Sequence, residues 1–597
     1  RWSGEIPFRD QLQELNREGL LNFQILEKSN TKNIVFPKPN PAIPLEPAKN
    51  PRPLDIETLS ATLEPGGEFS RHIKDFEHRS QQVQVLKSVA EAFSEGRHLM
   101  VEAGTGTGKS LAYLIPAAAW SMQNGEKVVI STNTIALQDQ LINKDIPDLI
   151  EALHLDLRTA VLKGRSNYLC PRKLNAMRKR SPENSDDLRV LAKILVWLHQ
   201  GGSGDRNEIN LNGQVERMIW NGLSAEDENC RLENCLKTMG GRCPFYKARM
   251  DAESAHILIV NHALLLADAA TENRVLPAFN YLIVDEAHHL ESATTDAMAF
   301  HLSPYDIRRS IRELGSHEYG LLSQIWTAVQ SRLIPSELAQ LSVTIGKITD
   351  IAVRFDTYMG QYFKALEFVL EDLREGRPIG TYAQQVRVLP SLRSLPIWFD
   401  VETAWDDAHA SLQSLLLQLK ALRESVYTPE DSDDDIADIM GSIATLSQHL
   451  SEIGEKIEQL TMTPLTDQIY WVEFDPLQSR LSLHATPLHI GSLMEKYLWH
   501  EKDSIVLTSA TLTTHGDFDY LKQRLNAEDA YEMTVGSPFD YETAVMLYLP
   551  HDIPEPSDQY GHQKTVENCI IRLARVTGGR MLVLFTSYAQ LKKTSQA

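Results

Sequence analysis

Cysteines, targeting signals and long apolar runs are all scarce in this chain. Five cysteines occur in 597 residues, which is too few for the disulfide framework of a small secreted protein. No apolar stretch reaches the ~18 residues that a membrane-spanning helix needs. Arg1 opens a mixed polar segment without the features of a signal peptide. These absences predict a cytoplasmic protein with reduced thiols and no membrane partner, and its length predicts about two to four domains.

Basic residues are also in deficit. The chain has 59 Lys and Arg against 80 Asp and Glu, a net charge of −21. Such a balance gives no long-range attraction to nucleic acid, although binding to phosphates can still depend on a local basic groove. Arg172 and Lys173 begin one local basic cluster. It is interpreted as a contact with a nucleic-acid strand or, alternatively, as the solvated face of a helix.

A glycine-rich loop follows the apolar run 98–101, which predicts a strand leading into the loop and a helix after it. Glycines let backbone N–H groups point inward at an anion, and the helix N-terminus adds partial positive charge. Lys109 is placed to reach the β and γ phosphates of ATP, and Ser110 to ligate Mg²⁺. The alternative is a strand–helix turn without a ligand. The predicted nucleotide-binding loop comprises Ala103, Gly104, Thr105, Gly106, Thr107, Gly108, Lys109 and Ser110.

A second chemical string follows the apolar run 281–284, which predicts another buried strand. Asp285 is placed to hold the Mg²⁺, and Glu286 to orient and deprotonate an attacking water. The alternative is a solvated Asp-Glu pair that caps a helix. Together with Lys109, these two carboxylates form the predicted catalytic set of an ATP hydrolase.

Four of the five cysteines lie between the two ATPase strings: Cys170, Cys230, Cys235 and Cys243. No Cys-x-x-Cys pair occurs, so a zinc ribbon has little support. Four thiolates suit a [4Fe–4S] cluster. A zinc site and unligated thiols remain the alternatives.

With these strings in this order, the chain resembles the superfamily 2 helicases of the DEAH-box type. Ala103 departs from the usual glycine of the loop pattern. The cysteines resemble those of the XPD/DinG iron–sulfur branch, and the string Trp471-Val-Glu favours the bacterial DinG group within it. The resemblance implies that Gln82 reads adenine and that Thr132 and Asn133 grip the nucleic-acid backbone. It also implies that hydrolysis is coupled to movement by His288, Thr508, Ser509 and Thr511.

The implied fold is α/β: a RecA-like parallel-sheet motor domain with an iron–sulfur insert and a helical arch insert, followed by a second RecA-like domain that is only begun. Leucine and isoleucine spacing at 412–422 and 439–460 predicts two long helices, and the acidic segment 430–438 between them predicts an exposed loop. The expected domains are 1–53 (N-terminal segment and proline-rich linker), 54–169, 251–299 and 471–535 (first motor domain), 170–250 (iron–sulfur insert), 300–470 (arch) and 536–597 (start of the second motor domain).

The implied activity is ATP-dependent unwinding of DNA by 5′→3′ movement along single-stranded DNA, in repair or replication. Forked or displaced-strand DNA would be the substrate, ATP, Mg²⁺ and [4Fe–4S] the cofactors, and the protein would be a monomer. Some relatives carry an upstream exonuclease domain, whose acidic metal-binding residues are not expected within this chain. The family's arginine-finger motif is not found either, so weak hydrolysis is expected of residues 1–597 alone. The alternatives are a redox-responsive, ATP-switched DNA-binding protein and a DEAH-type RNA helicase.

Overall fold

The computed structural model of the chain divides into two compact units, Arg1–Ser537 and Pro538–Ala597. Among the helices of the described residues, none combines the length and apolarity that crossing a membrane requires. The structure describes residues 36, 41–74, 76–179, 185–226, 230, 235–236, 239–271, 273, 275–330, 332–377, 383–426, 434–476 and 480–596.

A parallel sheet forms the centre of the first unit. In chain order the strands are β1 Leu99–Ala103, β2 Val128–Thr132, β3 Thr159–Val161, β4 Ile257–Asn261, β5 Tyr281–Asp285, β6 Phe300–Leu302, β7 Gln384–Arg387, β8 Gln468–Asp475, β9 Arg480–Pro487, β10 Ser504–Ser509 and β11 Tyr531–Val535. Within the described residues, seven of them form one sheet in the order β11-β1-β10-β5-β2-β4-β3. Every pairing in it is parallel.

The inner strands are almost fully buried, since helices cover both faces of the sheet. Buried parallel strands appear in a sequence as continuous apolar runs. This is why the runs at 98–101 and 281–284 predicted strands correctly, and the prediction of a RecA-like α/β motor domain is confirmed. In the described residues that precede the insert, the helices are α1 Ile56–Ala61, α2 Glu68–His72, α3 Ser80–Glu95, α4 Lys109–Asn124, α5 Ile135–Gln140 and α6 Ile146–Leu153.

Aromatic packing fixes the helix that begins at Lys109. The ring of Trp120 on α4 lies 4.9 Å from the ring of Tyr281 on β5, and Phe93 on α3 lies 5.2 Å from the same ring. Fully buried aromatic pairs contribute strongly to packing. This packing holds the C-terminal half of α4 against the sheet.

The insert between β3 and β4 has a small core of its own around Leu174 and Trp220. Two ion pairs join its parts: Lys163 Nζ lies 2.5 Å from Asp205 Oδ2, and the mostly buried pair Lys193–Glu216 is 2.8 Å apart. Its helices are α7 Pro171–Lys179, α8 Ser185–His199, α9 Gly213–Leu223 and α10 Pro244–Ser254. Two further helices, α11 His262–Ala270 and α12 Leu290–Met298, follow β4 and β5.

The helical region after β6 has the largest apolar core of the first unit. The two long helices predicted at 412–422 and 439–460 are confirmed as parts of α17 and α18, but α15, which is longer than either, was not predicted. The acidic loop prediction is wrong for residues 434–438, whose backbone is the first turn of α18, and its residues 430–433 lie outside the described residues. The helices are α13 Pro304–Leu314, α14 Gly320–Val329, α15 Pro335–Leu373, α16 Pro390–Arg393, α17 Trp398–Val426 and α18 Asp434–Thr461.

An antiparallel sheet in the order β6-β9-β8-β7 connects this helical region to the motor domain. The Tyr362 hydroxyl on α15 and the Thr461 hydroxyl on α18 form a buried 2.8 Å hydrogen bond, which joins two of the long helices at their sheet-proximal region. After β9 come the short helices α19 Gly491–Met494 and α20 Asp519–Leu525.

The second unit contains α21 Tyr541–Ala544, α22 Gln559–Val576 and α23 Tyr588–Gln596. Residues 538–596, which belong to the segment expected to begin a second motor domain, form no strand. A segment needs a neighbouring strand to exchange backbone hydrogen bonds.

The N-terminal strap, residues 41–53, contains no helix or strand and lies on the motor domain. Its Ile43 N–H donates to Ser254 Oγ at 2.9 Å, and its Ala48 N–H donates to the carbonyl of Asn124 at 2.8 Å. The proline-rich segment is thus bound along the surface at several points.

Candidate active site

Three strand ends meet at one edge of the parallel sheet. β10 lies between β1 and β5, with Thr508 opposite Asp285 and Ser509 opposite Glu102. Because parallel strands run in the same direction, their carboxyl ends open on the same side. The sheet therefore brings together the phosphate loop 103–110, the carboxylates of Asp285 and Glu286, and the predicted coupling segment 508–511, although they are far apart in the chain.

The phosphate loop is stabilised by its own side chains. Thr107 is fully buried and donates through Oγ1 to the carbonyl of Gly104 at 2.7 Å. Lys109 Nζ donates to the carbonyl of Ala103 at 3.1 Å, so the ammonium group bends back over the loop. Thr105 and Gly106 at the loop tip are exposed. The loop thus presents a cation and an open backbone at the same place.

Gln82 contacts the other end of this loop. Its side chain is only 5% exposed, and Nε2 donates to the carbonyl of Gly108 at 2.9 Å. Gly108 has φ +80°, and a Cβ there would lie 2.3 Å from that Nε2, so only glycine fits. The adenine-reading role of Gln82 stays a prediction, because its amide is bound to the loop in this structure.

The Tyr113 hydroxyl bridges the two predicted Mg²⁺ ligands. It donates to Asp285 Oδ2 at 3.0 Å and is hydrogen-bonded by the Ser110 side chain. Burial, followed by the charge of Glu286, raises the pKa of Asp285 to about 6, and the bond from Tyr113 opposes this rise. Burial, followed by the charge of Asp285, raises the pKa of Tyr113 well above its ordinary value. The phenol therefore stays a donor.

Glu286, His288 and Ser509 form a triangle of polar groups beside this pair. His288 Nδ1 lies 2.6 Å from Ser509 Oγ, and Glu286 Oε2 lies 3.4 Å from each of these atoms. Burial, followed by the neighbouring His289, lowers the pKa of His288. Glu286 has φ +53°, a left-handed conformation that costs a non-glycine residue energy and that recurs at functional sites. The triangle links the predicted base to the predicted coupling segment.

Two threonines that were predicted to couple hydrolysis to movement, Thr508 and Thr511, differ in their burial. Thr508 Oγ1 is buried on β10 and has no hydrogen-bond partner in the described part of the chain. Thr511, by contrast, is exposed, and its N–H lies 3.4 Å from Ser509 Oγ. Burying an unpaired hydroxyl costs free energy, so Thr508 marks a place where the resting arrangement is not optimal.

Some residues at the site were not predicted from the sequence. Tyr113, Glu102 and His262 were assigned no role from the sequence. His262 is 1% exposed, and its Nδ1 lies 2.7 Å from Ser131 Oγ on β2. Burial lowers the pKa of His262 to about 4, so the ring is neutral at physiological pH. Tyr113 follows Ser110 by three residues on α4, a spacing that places both on one helix face and could have revealed it.

The residues predicted to contact a nucleic-acid strand differ in their exposure. Thr132 is fully buried and donates through Oγ1 to the carbonyl of Thr134 at 3.3 Å, and its role as a contact with the nucleic-acid strand stays a prediction. It is the last residue of β2 and faces the packed interior. Asn133 is partly exposed. Arg172 and Lys173 are partly exposed on α7, and Lys173 Nζ donates to the Glu226 carbonyl.

The four predicted cluster cysteines are brought together. Cys170, Cys235 and Cys243 are buried in one apolar cluster, and Cys230 packs against it. Cys235 is hydrogen-bonded to both Cys230 and Cys243. The bond with Cys230 lowers the pKa of Cys235, but the bond with Cys243 and burial together raise it to about 12.

Four sulfur atoms in an apolar, aromatic-lined environment are the donor set that an iron–sulfur cluster requires. Tyr246 and Phe245 belong to the same buried group. Among the described residues, however, no group of three or more His, Cys, Asp or Glu is arranged so that it could hold a metal ion. Proximity and ligand chemistry therefore fit the cluster, while the ligand geometry is not formed.

The chain is similar to known proteins over most of its length. The family described as DEAD/DEAH box helicase matches residues 79–179, and the family described as DEAD_2 matches residues 220–307. The 3′-5′ exonuclease DinG of Bacillus subtilis is 27% identical over 551 residues, covering 91% of this chain and 58% of that protein. The chain thus spans little more than half of that relative's length.

Two other relatives are matched over more of their length. The ATP-dependent DNA helicase YoaA of Escherichia coli is 27% identical and covers 89% of this chain and 75% of that protein. The ATP-dependent helicase DinG of Mycobacterium tuberculosis is 29% identical and covers 87% and 73%. A solved structure described as XPD helicase aligns with a TM-score of 0.41 and 14% identity over 87% of this chain and 74% of that one.

The parallel sheet is that of a RecA-like α/β domain, and residues 79–179 match the DEAD/DEAH box helicase family. The DinG and YoaA relatives extend the similarity through the insert and the helical region. Through these matches the chain is similar to the DinG-type bacterial branch of the XPD/DinG superfamily 2 helicases.

Proposed function

We propose that this protein is an ATP-dependent DNA helicase that unwinds duplex DNA by moving 5′→3′ along single-stranded DNA. The observation that carries the proposal is the meeting of Lys109, Asp285 and Glu286 at the edge of one sheet, with Ser509 between them. Relatives named as ATP-dependent DNA helicases, in Escherichia coli and Haemophilus influenzae, support DNA as the substrate.

ATP would bind with its phosphates on the loop 103–110. Lys109 would exchange its bond to the Ala103 carbonyl for bonds to phosphate oxygens, which are stronger acceptors. Ser110 and Asp285, which already share the Tyr113 hydroxyl, would hold Mg²⁺. The bound metal would neutralise the charge that develops on the phosphates.

Glu286 would accept the proton of the attacking water. Its carboxylate is partly exposed and lies beside, not inside, the buried Asp285 site, so a water has room to approach. Ser509 and His288 touch Glu286 and lead from it to the segment 509–513. When Glu286 accepts a proton during ATP hydrolysis, its contacts with Ser509 and His288 would change. This change would move the segment 509–513, and the movement would drive motion along the DNA strand.

The DNA strand would be held by backbone contacts and base stacking, the general means of single-strand binding. Asn133 and Arg172 are partly exposed, and both are proposed to contact phosphates. These local contacts with phosphates would have to overcome the repulsion of DNA by a net charge of −21. Because they are electrostatic, DNA binding should weaken steeply as the salt concentration rises. Forked or displaced-strand DNA is the proposed substrate, in repair or replication.

A [4Fe–4S] cluster is proposed at Cys170, Cys230, Cys235 and Cys243. The proximity of the four thiols and their burial beside aromatic rings support it. The cluster would stabilise the fold of the insert, because metal binding and folding are linked for small domains of this kind. An anaerobic visible spectrum with iron and zinc analysis tests this: about four irons and absorption near ~400 nm support it. One zinc and no colour would contradict it.

Unwinding is tested with fluorescent forked DNA carrying either a 5′ or a 3′ single-stranded arm, using the full-length protein. ATP-dependent strand separation that requires the 5′ arm and disappears in Glu286→Gln is the expected result. Strand binding that responds to ATP and to cluster oxidation without separation would favour a redox-responsive binding protein instead. Separation of RNA duplexes but not of DNA would favour an RNA helicase.

A further inference from the structure

Glu102 makes contacts that the ATP site described above does not explain. It is the next-to-last residue of β1, directly before the phosphate loop. Its Oε2 accepts hydrogen bonds from the backbone N–H groups of Leu512 and Thr513, both at 2.6 Å, and its Oε1 accepts from Thr513 Oγ1 at 3.0 Å. One carboxylate therefore holds three donors from a segment that lies 410 residues away in the chain.

These bonds are of a strong kind. Hydrogen bonds to an ionised carboxylate are shorter and stronger than bonds between neutral groups. Leu512 is 5% exposed, so its N–H is largely shielded from water that could replace the carboxylate. Loss of Glu102 would leave buried backbone donors unpaired, which is more costly than never having formed the bonds.

Glu102 lies directly before the phosphate loop, so its bonds connect that loop to the segment 509–513. Glu102 precedes Ala103, whose carbonyl accepts from Lys109 Nζ at 3.1 Å. At the other end, the clamped segment begins at Ser509, whose Oγ lies 2.6 Å from His288 and 3.4 Å from Glu286. The segment 509–513 is thus held by the hydrolysis residues at its start and by the strand leading into the phosphate loop at its end.

We propose that Glu102 is a positioning residue that couples the phosphate loop to the segment 509–513. Filling of the loop by ATP phosphates displaces the Lys109–Ala103 bond and shifts the end of β1. Glu102 passes this shift to Leu512 and Thr513, and Ser509 at the start of the same segment adjusts its contacts with Glu286. The inference rests on the proposed function, since it assumes that the loop binds a nucleotide.

Two roles of Glu102, stabilising the fold and coupling the loop to the segment 509–513, predict different results. A residue that only holds the fold would lower stability, nucleotide affinity and hydrolysis together when removed. A coupling residue would leave nucleotide affinity nearly unchanged and break the response of the segment 509–513 to nucleotide. The two roles are therefore separated by comparing binding with the response, not by activity alone.

Three variants of the chain make the comparison. Glu102→Ala removes all three acceptors, and Glu102→Gln keeps the shape but replaces the charged acceptor with a neutral amide. Glu95→Gln is the matched control, because Glu95 is exposed on α3 and forms an ion pair with Arg97. If circular dichroism and thermal unfolding show that Glu102→Ala does not fold, the comparison is made with Glu102→Gln.

The measurements are the affinity for a fluorescent ATP analogue with Mg²⁺ and the hydrogen exchange of peptides covering 509–513, with and without the non-hydrolysable analogue. In the wild type and in Glu95→Gln, nucleotide should slow exchange at Leu512 and Thr513. In the Glu102 variants the affinity should stay within about two-fold, while the slowing is lost or sharply reduced. In the full-length protein, kcat for ATP should fall about ten-fold with KM nearly constant.

The results that overturn the inference are distinct from those that overturn the proposed function. An exchange response that survives in the Glu102 variants, or an affinity loss as large as the loss of kcat, contradicts the coupling role and leaves the helicase proposal standing. A wild-type segment that does not respond to bound nucleotide contradicts it too. Failure of the wild-type chain to bind any nucleotide overturns the proposed function, and this inference with it.

Discussion

The Tyr113 phenol donates a 3.0 Å hydrogen bond to the Asp285 carboxylate, and both groups are buried. Because the same hydroxyl is hydrogen-bonded by Ser110, Tyr113 sets the spacing of the two groups proposed to hold Mg²⁺. Tyr113→Phe removes this hydroxyl without changing the shape of the ring. We expect the Mg²⁺ concentration needed for nucleotide binding to rise about ten-fold, as for loss of a hydrogen bond to a charged group. Nucleotide binding in EDTA serves as the control and should not change.

Asp285 should make stability depend on pH. Burial raises its pKa to about 6 in the folded protein, so the folded state holds this proton more tightly than the unfolded state does. The stability of the nucleotide-free protein therefore falls as pH rises from about 4 to about 6. Asp285→Asn should be more stable than wild type at pH ~8 by on the order of 3 kcal/mol, from the shift of about two pKa units. Urea unfolding should show this gain shrinking below pH ~5; a gain independent of pH would refute the assignment.

Lys109→Ala should abolish nucleotide binding. The ammonium group is the only lysine or arginine charge within the loop 103–110, and it provides charge-assisted bonds to phosphate. A loss of at least about 100-fold in affinity for a fluorescent ATP analogue is expected. Lys87→Ala is the control, because Lys87 lies on α3 in an exposed pair with Glu57. Equal affinity in the two variants would mean that the loop does not bind phosphates.

Glu286→Gln should separate binding from hydrolysis. The amide keeps the size of the side chain but cannot accept the proton of the attacking water. Nucleotide affinity should stay close to that of the wild type, while DNA-stimulated hydrolysis by the full-length protein falls by roughly 10²–10⁴-fold. Single-turnover ATP hydrolysis is the measurement. Persistence of hydrolysis would require a different base.

Cys235→Ser should remove iron from the protein and destabilise the insert. Cys235 contacts both Cys230 and Cys243, so its loss affects the centre of the thiol group. Iron content and the visible spectrum should fall together, and proteolysis within 170–250 should accelerate, since folding of the insert is coupled to its metal. Cys569→Ser provides the control, because Cys569 lies in the second unit, on α22. Unchanged iron in Cys235→Ser would contradict the proposed ligand set.

The sequence predicted well what local pattern determines. The buried strands β1, β2, β5 and β10 appear as apolar runs, and the residues that follow them are chemically distinctive. Because strand ends carry the site in such a sheet, finding the strands also located Lys109, Asp285 and Glu286.

The sequence did not reveal what depends on contacts between distant segments. Nothing near Glu102 shows that it meets Leu512 and Thr513, since the pairing of β1 with β10 exists only once the sheet has formed. The burial of Thr132 likewise depends on the helices packed over β2 and not on its neighbours in sequence. The long helix α15 is a different case, because its apolar spacing was present in the sequence and was overlooked.

The strand order also determines when this fold can form during synthesis. Both neighbours of β1, the strands β10 and β11, are made about 400 residues after it. At translation rates of ~5–20 residues per second, β1 waits roughly 20 to 80 s before either partner leaves the ribosome. The backbone hydrogen-bonding groups along both of its edges stay unpaired throughout, so the nascent chain must be kept from aggregating until residue 535 is available. The ATP site is thus one of the last parts of the first unit to assemble.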